Sequence, residues 1–220
     1  MSEYRVNASD IAQMEQRYRA EFINSLSGFK SANLVATRSK QGIDNLAIVS
    51  SVVHIGANPP LLGMIMRPHT VQRDTLQNIK ETGVYTLNSV TENMLKRAHQ
   101  TSARYAYQTS EFDAVGFMRQ STTAVAASYV AESPLKISLE VQDIQYLAIN
   151  QTELVIGQIV EVVLADDCID KTGYLDIEQL GSITISGLVS YHKTKRLGAF
   201  AYAKPDTPIQ PLELMQRDLE

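Results

Sequence analysis

The chain has 220 residues, 44% of them hydrophobic, with 20 Lys and Arg against 24 Asp and Glu, a single cysteine and no tryptophan. The net charge of −4 argues against broad nucleic-acid binding, and the lone Cys168 excludes an intramolecular disulfide framework, a CxxC pair and a cysteine-rich zinc site. No apolar run approaches the roughly 18–20 residues that span a bilayer, and the polar opening MSEYRVNASD lacks the apolar stretch of a signal peptide, so a cytoplasmic protein without membrane contact is expected.

In chain order, the first segment reads as a helix. Ser9 is a candidate N-cap, and Ile11, Met14, Tyr18 and Phe22 recur on one face, with a break expected near Glu21 and a stop at Gly28. The pattern then changes to strands at 33–37, 45–53 and 61–66, separated by turn residues at 39–42 and 56–60. A helix is predicted over 69–82, capped by Thr70 and closed by Gly83, followed by a strand at 84–88 and a helix at 91–99 with Thr91 as its cap. Residues 102–128 have weak periodicity and four aromatics, and read as an irregular excursion that covers something. Strands follow at 135–147, 152–164 and 182–192, with an acidic loop or short helix over 166–180. From Pro205 on, the tail carries three prolines and is expected on the surface.

About seven strands with few helices between them predict a mainly β fold with peripheral helices. Three connections are too short to hold a crossover helix, so the sheet is expected to be antiparallel and barrel-like. Neither a repeat nor a dividing linker is present, and a core from one large domain of this length is self-sufficient.

GxGxxG, GxxxxGK[ST] and GxSxG are all absent, and the four histidines have no paired spacing, so no metal is expected. Charge is uneven: residues 151–180 hold seven acids and one base, whereas 181–204 hold four bases and no acid. Three segments carry possible chemistry. At 66–75 a strand ends, Pro68 turns the chain and a helix begins. Arg67 and Arg73 offer planar, permanently charged forks there and Thr70 and Thr75 offer hydroxyls, either as a phosphate site or as an ordinary capped helix with surface arginines. In Ser50-Ser51-Val52 two adjacent serines interrupt an otherwise apolar strand, so that one hydroxyl points inward, toward a planar ligand or toward neighbouring backbone. The basic stretch from Tyr191 to Gly198, with His192 and Lys195, reads as a solvated turn or as a counter-charge for a cofactor.

Together these segments resemble the flavin reductase-like family, with its FMN-binding split barrel. The resemblance rests on LVAT at 34–37, Gly42 with NLAIVSS at 45–51, NPPLLG at 58–63, RDTLQNI at 73–79, TGVYTLN at 82–88, and the strands at 157–162 and 185–192, and covers about residues 28–192. It implies an antiparallel split β-barrel of Greek-key type over 28–192, flanked by a helical extension at 1–27 and a basic turn and proline-bearing tail at 193–220. It further implies a homodimer with FMN near the interface, the ring along Ser50, Ser51 and Val52, and the phosphate around Arg67, Thr70, Arg73 and Thr75. Asn45 is implied as a ribityl or ring contact, and His192 and Lys195 as late-barrel contacts. The activity implied is hydride transfer from NADH or NADPH to the flavin, with electrons passing on to free flavin, a partner oxygenase or another acceptor. No side chain is assigned as a catalytic acid or base, because the cofactor carries that chemistry. A flavin-binding electron carrier or redox sensor without turnover is the alternative, and a ligand-free interaction barrel is a third reading.

Overall fold

The computed structural model describes residues 3–68 and 74–214. The chain opens with two short helices, α1 (Ala8–Gln13) and α2 (Gln16–Leu26). Asn7 caps α1 in place of the expected Ser9. Its side chain accepts from the Asp10 N–H, and the Asp10 carboxylate accepts from the Asn7 N–H. The Glu15 carboxylate accepts from the N–H groups of Arg17 and Tyr18, so the break lies at Met14 and Glu15, earlier than expected. Gly28, at φ +71°, turns the chain after α2.

Among the described residues the strands are β1 (Lys30–Ser31), β2 (Asn33–Arg38), β3 (Asp44–Val49), β4 (Val52–Ala57), β5 (Pro60–Met66), β6 (Val84–Ser89), β7 (Arg119–Gln120), β8 (Tyr129–Val130), β9 (Leu135–Leu147), β10 (Thr152–Leu164), β11 (Thr184–Ser186) and β12 (Ser190–His192). Three further helices are α3 (Asp74–Thr82), α4 (Leu95–Gln100) and α5 (Glu111–Val115). No described helix is long and apolar enough to cross a membrane.

The main sheet runs β3-β2-β6-β9-β10-β5-β4 with every pairing antiparallel. Its two edge strands, β3 and β4, are consecutive in sequence, joined by Ser50 and Ser51. That short link dictates the shape. A flat sheet of seven strands at ~4.8 Å spacing would hold its edges about 29 Å apart. The three Cα steps from Val49 to Val52 span at most about 11 Å. The sheet must therefore curl until its edges nearly meet, without a ladder between them. The result is the expected antiparallel split barrel, open along β3 and β4.

This geometry corrects two strand predictions. The run 45–53 is not one strand: it leaves one sheet edge at Val49 and joins the other at Val52, so Ser50 and Ser51 lie between strands. The run 182–192 is a hairpin, with β11 and β12 paired Thr184 to His192 and Ile185 to Tyr191 around Gly187 at φ +58°. The Thr91 side chain makes no cap hydrogen bond, and a 3₁₀ turn (Glu92–Met94) precedes α4. The predicted helix start at 69–73, which includes Thr70 and Arg73, lies outside the described residues.

Strand β2 is buried on both faces, so alternate residues enter different cores. Val35 joins the barrel interior with Met64, Leu76, Tyr85, Leu139 and Val155. Leu34 and Ala36 join a second core with Leu46, Met94, Ala98, Phe112, Phe117 and Val130. The second core explains the 102–128 excursion. It is a cover, anchored by α5 and its aromatics, over the outer face of β2 and β3.

Gly157 in β10 is required by the barrel interior. A Cβ there would lie 2.4 Å from the Tyr85 hydroxyl and 3.0 Å from the ring carbon bearing it. Tyr85 is fully buried and its hydroxyl has no partner among the described residues. Burial accordingly raises the phenol's pKa. Gly157→Ala is expected to lower the unfolding free energy by about 1–3 kcal/mol through overpacking. Tyr85→Phe alone is expected to be neutral or stabilising, because it removes an unanswered hydroxyl. In the double variant part of the Gly157→Ala loss should return. Urea unfolding midpoints measure all three, and an undiminished loss in the double variant would refute the clash.

Candidate functional site

An edge strand presents backbone N–H groups that no neighbouring strand answers. Along β3 side chains answer two of them. The Leu46 N–H donates to Glu111 Oε2 at 2.9 Å, and the Ile48 N–H donates to Thr101 Oγ1 at 2.9 Å. Both acceptors are buried and both come from the α4–α5 region that covers the second core. The Thr101 hydroxyl in turn donates to the Ala98 carbonyl at 2.7 Å, which fixes its lone pairs toward β3.

Asn45 joins three elements at one end of the edge. Its amide donates to Glu111 Oε2 at 2.9 Å, and its carbonyl oxygen accepts from the Thr75 hydroxyl at 2.6 Å and the Thr37 hydroxyl at 3.4 Å. Asn78 on α3 donates to Thr37 Oγ1 at 3.0 Å. The Glu111 carboxyl is pushed above the usual carboxylate range by desolvation, against the opposing pull of its N–H donors. Beyond it, Asp44 accepts from Arg38 Nε and Arg119 Nε, both at 2.8 Å, and Arg119 forks onto Asp113. That fork holds the Asp113 carboxyl below its usual range.

Between β3 and the elements around it lies a cleft of about 690 Å³, within the usual range of ligand sites. Ala47, Ile48 and Val49 give an apolar floor, Ser50 and Ser51 mark the gap in the barrel, and Arg67, Asp74 and Thr75 close one side. His99, Arg104 and Tyr105 stand on another side, with Ile185, Val189 and Tyr191 from the β11–β12 hairpin. The His99 Nδ1 and the Tyr191 hydroxyl are 2.8 Å apart, and burial raises the Tyr191 phenol.

Of the residues singled out from sequence, Asn45, Ser50, Ser51, Arg67 and Thr75 meet in this cleft. Val52, His192 and Lys195 do not line it. Val52 opens β4, His192 shares a hydrogen bond with Ser186 Oγ at 2.7 Å and packs on Phe29, and Lys195 is exposed. Two hydroxyl protons are already committed within the protein, that of Thr75 to Asn45 and that of Ser51 to the Ile65 carbonyl at 2.7 Å. The basic turn is also partly engaged: Lys193 pairs with Glu92, and Arg196 with Asp176. Among the side chains of the cleft, the Ser50 hydroxyl and the guanidinium groups of Arg67 and Arg104 have no hydrogen bond or ion pair with the described residues. An apolar floor with these donors fits a ligand that has a flat body and an anionic end. Glu111, Thr101 and Arg104 were not foreseen, because their partners or neighbours lie far away in sequence.

Residues 27–180 match the family model of the flavin reductase like domain. A split-barrel protein of Shewanella frigidimarina assigned to the flavin reductases has a TM-score of 0.88 at 47% identity, covering 91% of this chain and all of its own. Nitrilotriacetate monooxygenase component B of Bacillus cereus has a TM-score of 0.79 at 18% identity, over 89% of this chain and 98% of its own. Flavoredoxin of Desulfovibrio vulgaris has a TM-score of 0.67 at 20% identity, over 82% of this chain and 92% of its own.

The Glu111 geometry gives a direct test of the edge. Both N–H donors converge on one oxygen, so Gln can accept both through its carbonyl without carrying a charge. Glu111→Gln is expected to match or exceed the wild type in stability at pH 7. Glu111→Ala leaves the Leu46 and Asn45 donors unanswered and is expected to cost about 2 kcal/mol or more. Because the folded carboxyl titrates above its unfolded value, its contribution is full below the unfolded pKa and is lost as pH rises through the folded one. Thermal unfolding scans from pH 4 to 8 should therefore show a decline in wild type relative to Glu111→Gln. A wild type that gains on Glu111→Gln as pH rises contradicts this assignment.

Proposed function

The chain belongs to the flavin reductase-like family, and we propose that it holds FMN in the cleft along β3 and reduces it with NADH or NADPH. Flavin-binding oxidoreductase chemistry is what that family carries. The observation that supports the finer reading is the cleft itself, where a flat apolar floor, the gap at Ser50 and an unpaired arginine at the α3 side occur together. When bound, FMN supplies the capacity to take a hydride from a nicotinamide.

The chain's own residues do the binding and positioning. Ala47, Ile48 and Val49 offer a floor whose strand conformation is fixed by the Glu111 and Thr101 hydrogen bonds, so little order is lost on binding. Ser50 offers an unengaged hydroxyl to polar ring edges. Arg67 offers a permanent charge and a bidentate fork to the phosphate. Thr75 supports Asn45, and in this geometry its proton is not available to an anion. Thr70 and Arg73 remain proposed phosphate contacts from the resemblance, as do His192 and Lys195 for the later barrel.

We also propose a homodimer. Val53 is paired across from Gly63, and a Cβ at Gly63 would meet Ile55 and Leu154 side-chain atoms at 3.0 and 3.1 Å. Val53 and Ile55 therefore crowd one face of β4 and β5, and they are 48% and 43% exposed, which suits burial against a second copy. The electron acceptor is proposed to be free flavin or a partner oxygenase, in keeping with the monooxygenase component that shares the fold.

The purified protein is expected to show a flavin absorption spectrum, natively or after FMN is added. Anaerobic NADH or NADPH should bleach it at a catalytic rate. Arg67→Ala should weaken FMN binding by about tenfold or more, the worth of a charge-assisted phosphate contact, with little change in Tm because Arg67 is exposed. Failure to bind flavin overturns the reading. Binding without bleaching by either nicotinamide favours the electron carrier.

A further inference from the structure

The described arginines after the N-terminal helices divide sharply. Arg38, Arg97, Arg119 and Arg196 are each paired with a carboxylate: Asp44, Glu132, Asp44 with Asp113, and Asp176. Arg67 and Arg104 make no ion pair or hydrogen bond to the described residues, and both line the cleft. Arg67 is accounted for above by the flavin phosphate. Arg104 is not.

Arg104 lines the cleft directly after a hydrogen-bonded turn. Three successive backbone hydrogen bonds continue beyond α4: Thr101 N–H to Ala98 O, Ser102 N–H to His99 O, and Ala103 N–H to Gln100 O, at 3.0–3.2 Å. Thr101 ties that turn to the β3 edge through the Ile48 N–H. The next residue, Tyr105, receives a hydrogen bond from Gln100 Nε2 at 3.2 Å. Arg104 therefore follows a turn tied to β3 and lines the same cleft as Tyr105 and His99, with no ion pair to the described residues. The sequence-derived alternative for a second anion, the basic turn after β12, has two of its cations engaged with Glu92 and Asp176.

We propose that Arg104 is the anion-recognition residue for the second ligand of this cleft, binding the phosphates of the nicotinamide dinucleotide that donates the electrons. This rests on the flavin reading above. Its chemistry is that of Arg67 at a separate position: a planar fork suited to phosphate oxygens, permanently charged and unneutralised. Arg104 positions the donor and takes no part in the transfer, so its loss should fall on KM.

The test compares wild type, Arg104→Gln, Arg104→Lys and Arg67→Gln, each loaded with FMN. Arg104→Gln should raise KM for the nicotinamide that reduces the wild type by about tenfold or more, with kcat and the Kd for FMN within about twofold. Arg104→Lys should recover only part of that loss, since it keeps the charge without the fork. Arg67→Gln should do the reverse, weakening FMN and sparing KM at saturating flavin. Calorimetry with NAD+ or NADP+, matched to the preferred donor and unable to react, should show the same loss in Arg104→Gln and a flatter dependence on salt. An unchanged KM and unchanged NAD+ or NADP+ binding would overturn the proposal. So would a loss of FMN affinity in Arg104→Gln equal to that of Arg67→Gln, which would assign Arg104 to the flavin instead. If the wild type binds no FMN, the flavin reading fails by itself, and calorimetry on the unloaded protein still decides Arg104: equal NAD+ or NADP+ binding by wild type and Arg104→Gln overturns it, and selective loss in the variant sustains it.

Discussion

The open edge of β3 is the constraint on which the rest of this structure depends. A barrel that closes its ladder has no edge to protect, whereas this one leaves β3 and β4 without a ladder between them and must answer their outward backbone groups otherwise. Glu111 and Thr101 do so for Leu46 and Ile48, from positions 65 and 53 residues away. Placing those two side chains at the edge requires α4 and α5 to sit over β2 and β3. Their packing creates the second core, and their proximity to β3 creates the cleft. Edge protection, a second core and a ligand-sized cavity are consequences of one decision not to close the sheet.

That decision makes β2 unusual. In a barrel with one solvated face, a strand alternates buried and exposed residues. Here Leu34, Val35, Ala36 and Thr37 are all buried, two cores sharing one strand. Rigidity follows for its neighbour β3, which is held on one side by the β2 ladder and on the other by buried side chains. A floor held on both sides can present the same surface to every ligand molecule, which is what a site that orients a flat ring needs.

How much was legible beforehand follows from the range of each signal. β9 and β10 lie over 135–147 and 152–164 as read from the sequence, because each is a long run of locally favourable strand residues. The Ser50 and Ser51 pair stood out because hydroxyls interrupt an apolar run, but the run does not disclose that the strand ends there. Only the order of the whole sheet, with β3 and β4 at opposite edges, makes the link visible. Gly187 was a local sign of the β11–β12 turn that strand propensity on either side obscured. Glu111 carried no local sign of its role, since an acid after a serine at the start of a short helix is ordinary. The basic turn misled for the same reason: Glu92 and Asp176, the partners of Lys193 and Arg196, are 101 and 20 residues away.

The edge also indicates where protection by the protein stops. Outward N–H groups recur every second residue along a strand, and Leu46 and Ile48 have side-chain acceptors. Two residues further on is Ser50, in the gap between the strands, lining the cleft with its hydroxyl unengaged. The protein closes the edge up to that residue and no further. A ligand with hydrogen-bonding groups along its rim would suit such a place, because it meets polar groups that no neighbouring strand has taken. Closing the barrel by adding a ladder between β3 and β4 would remove the exposed edge and the cleft together. On the proposed reading, the gap is retained because a cofactor stabilises it more usefully than a closed ladder could.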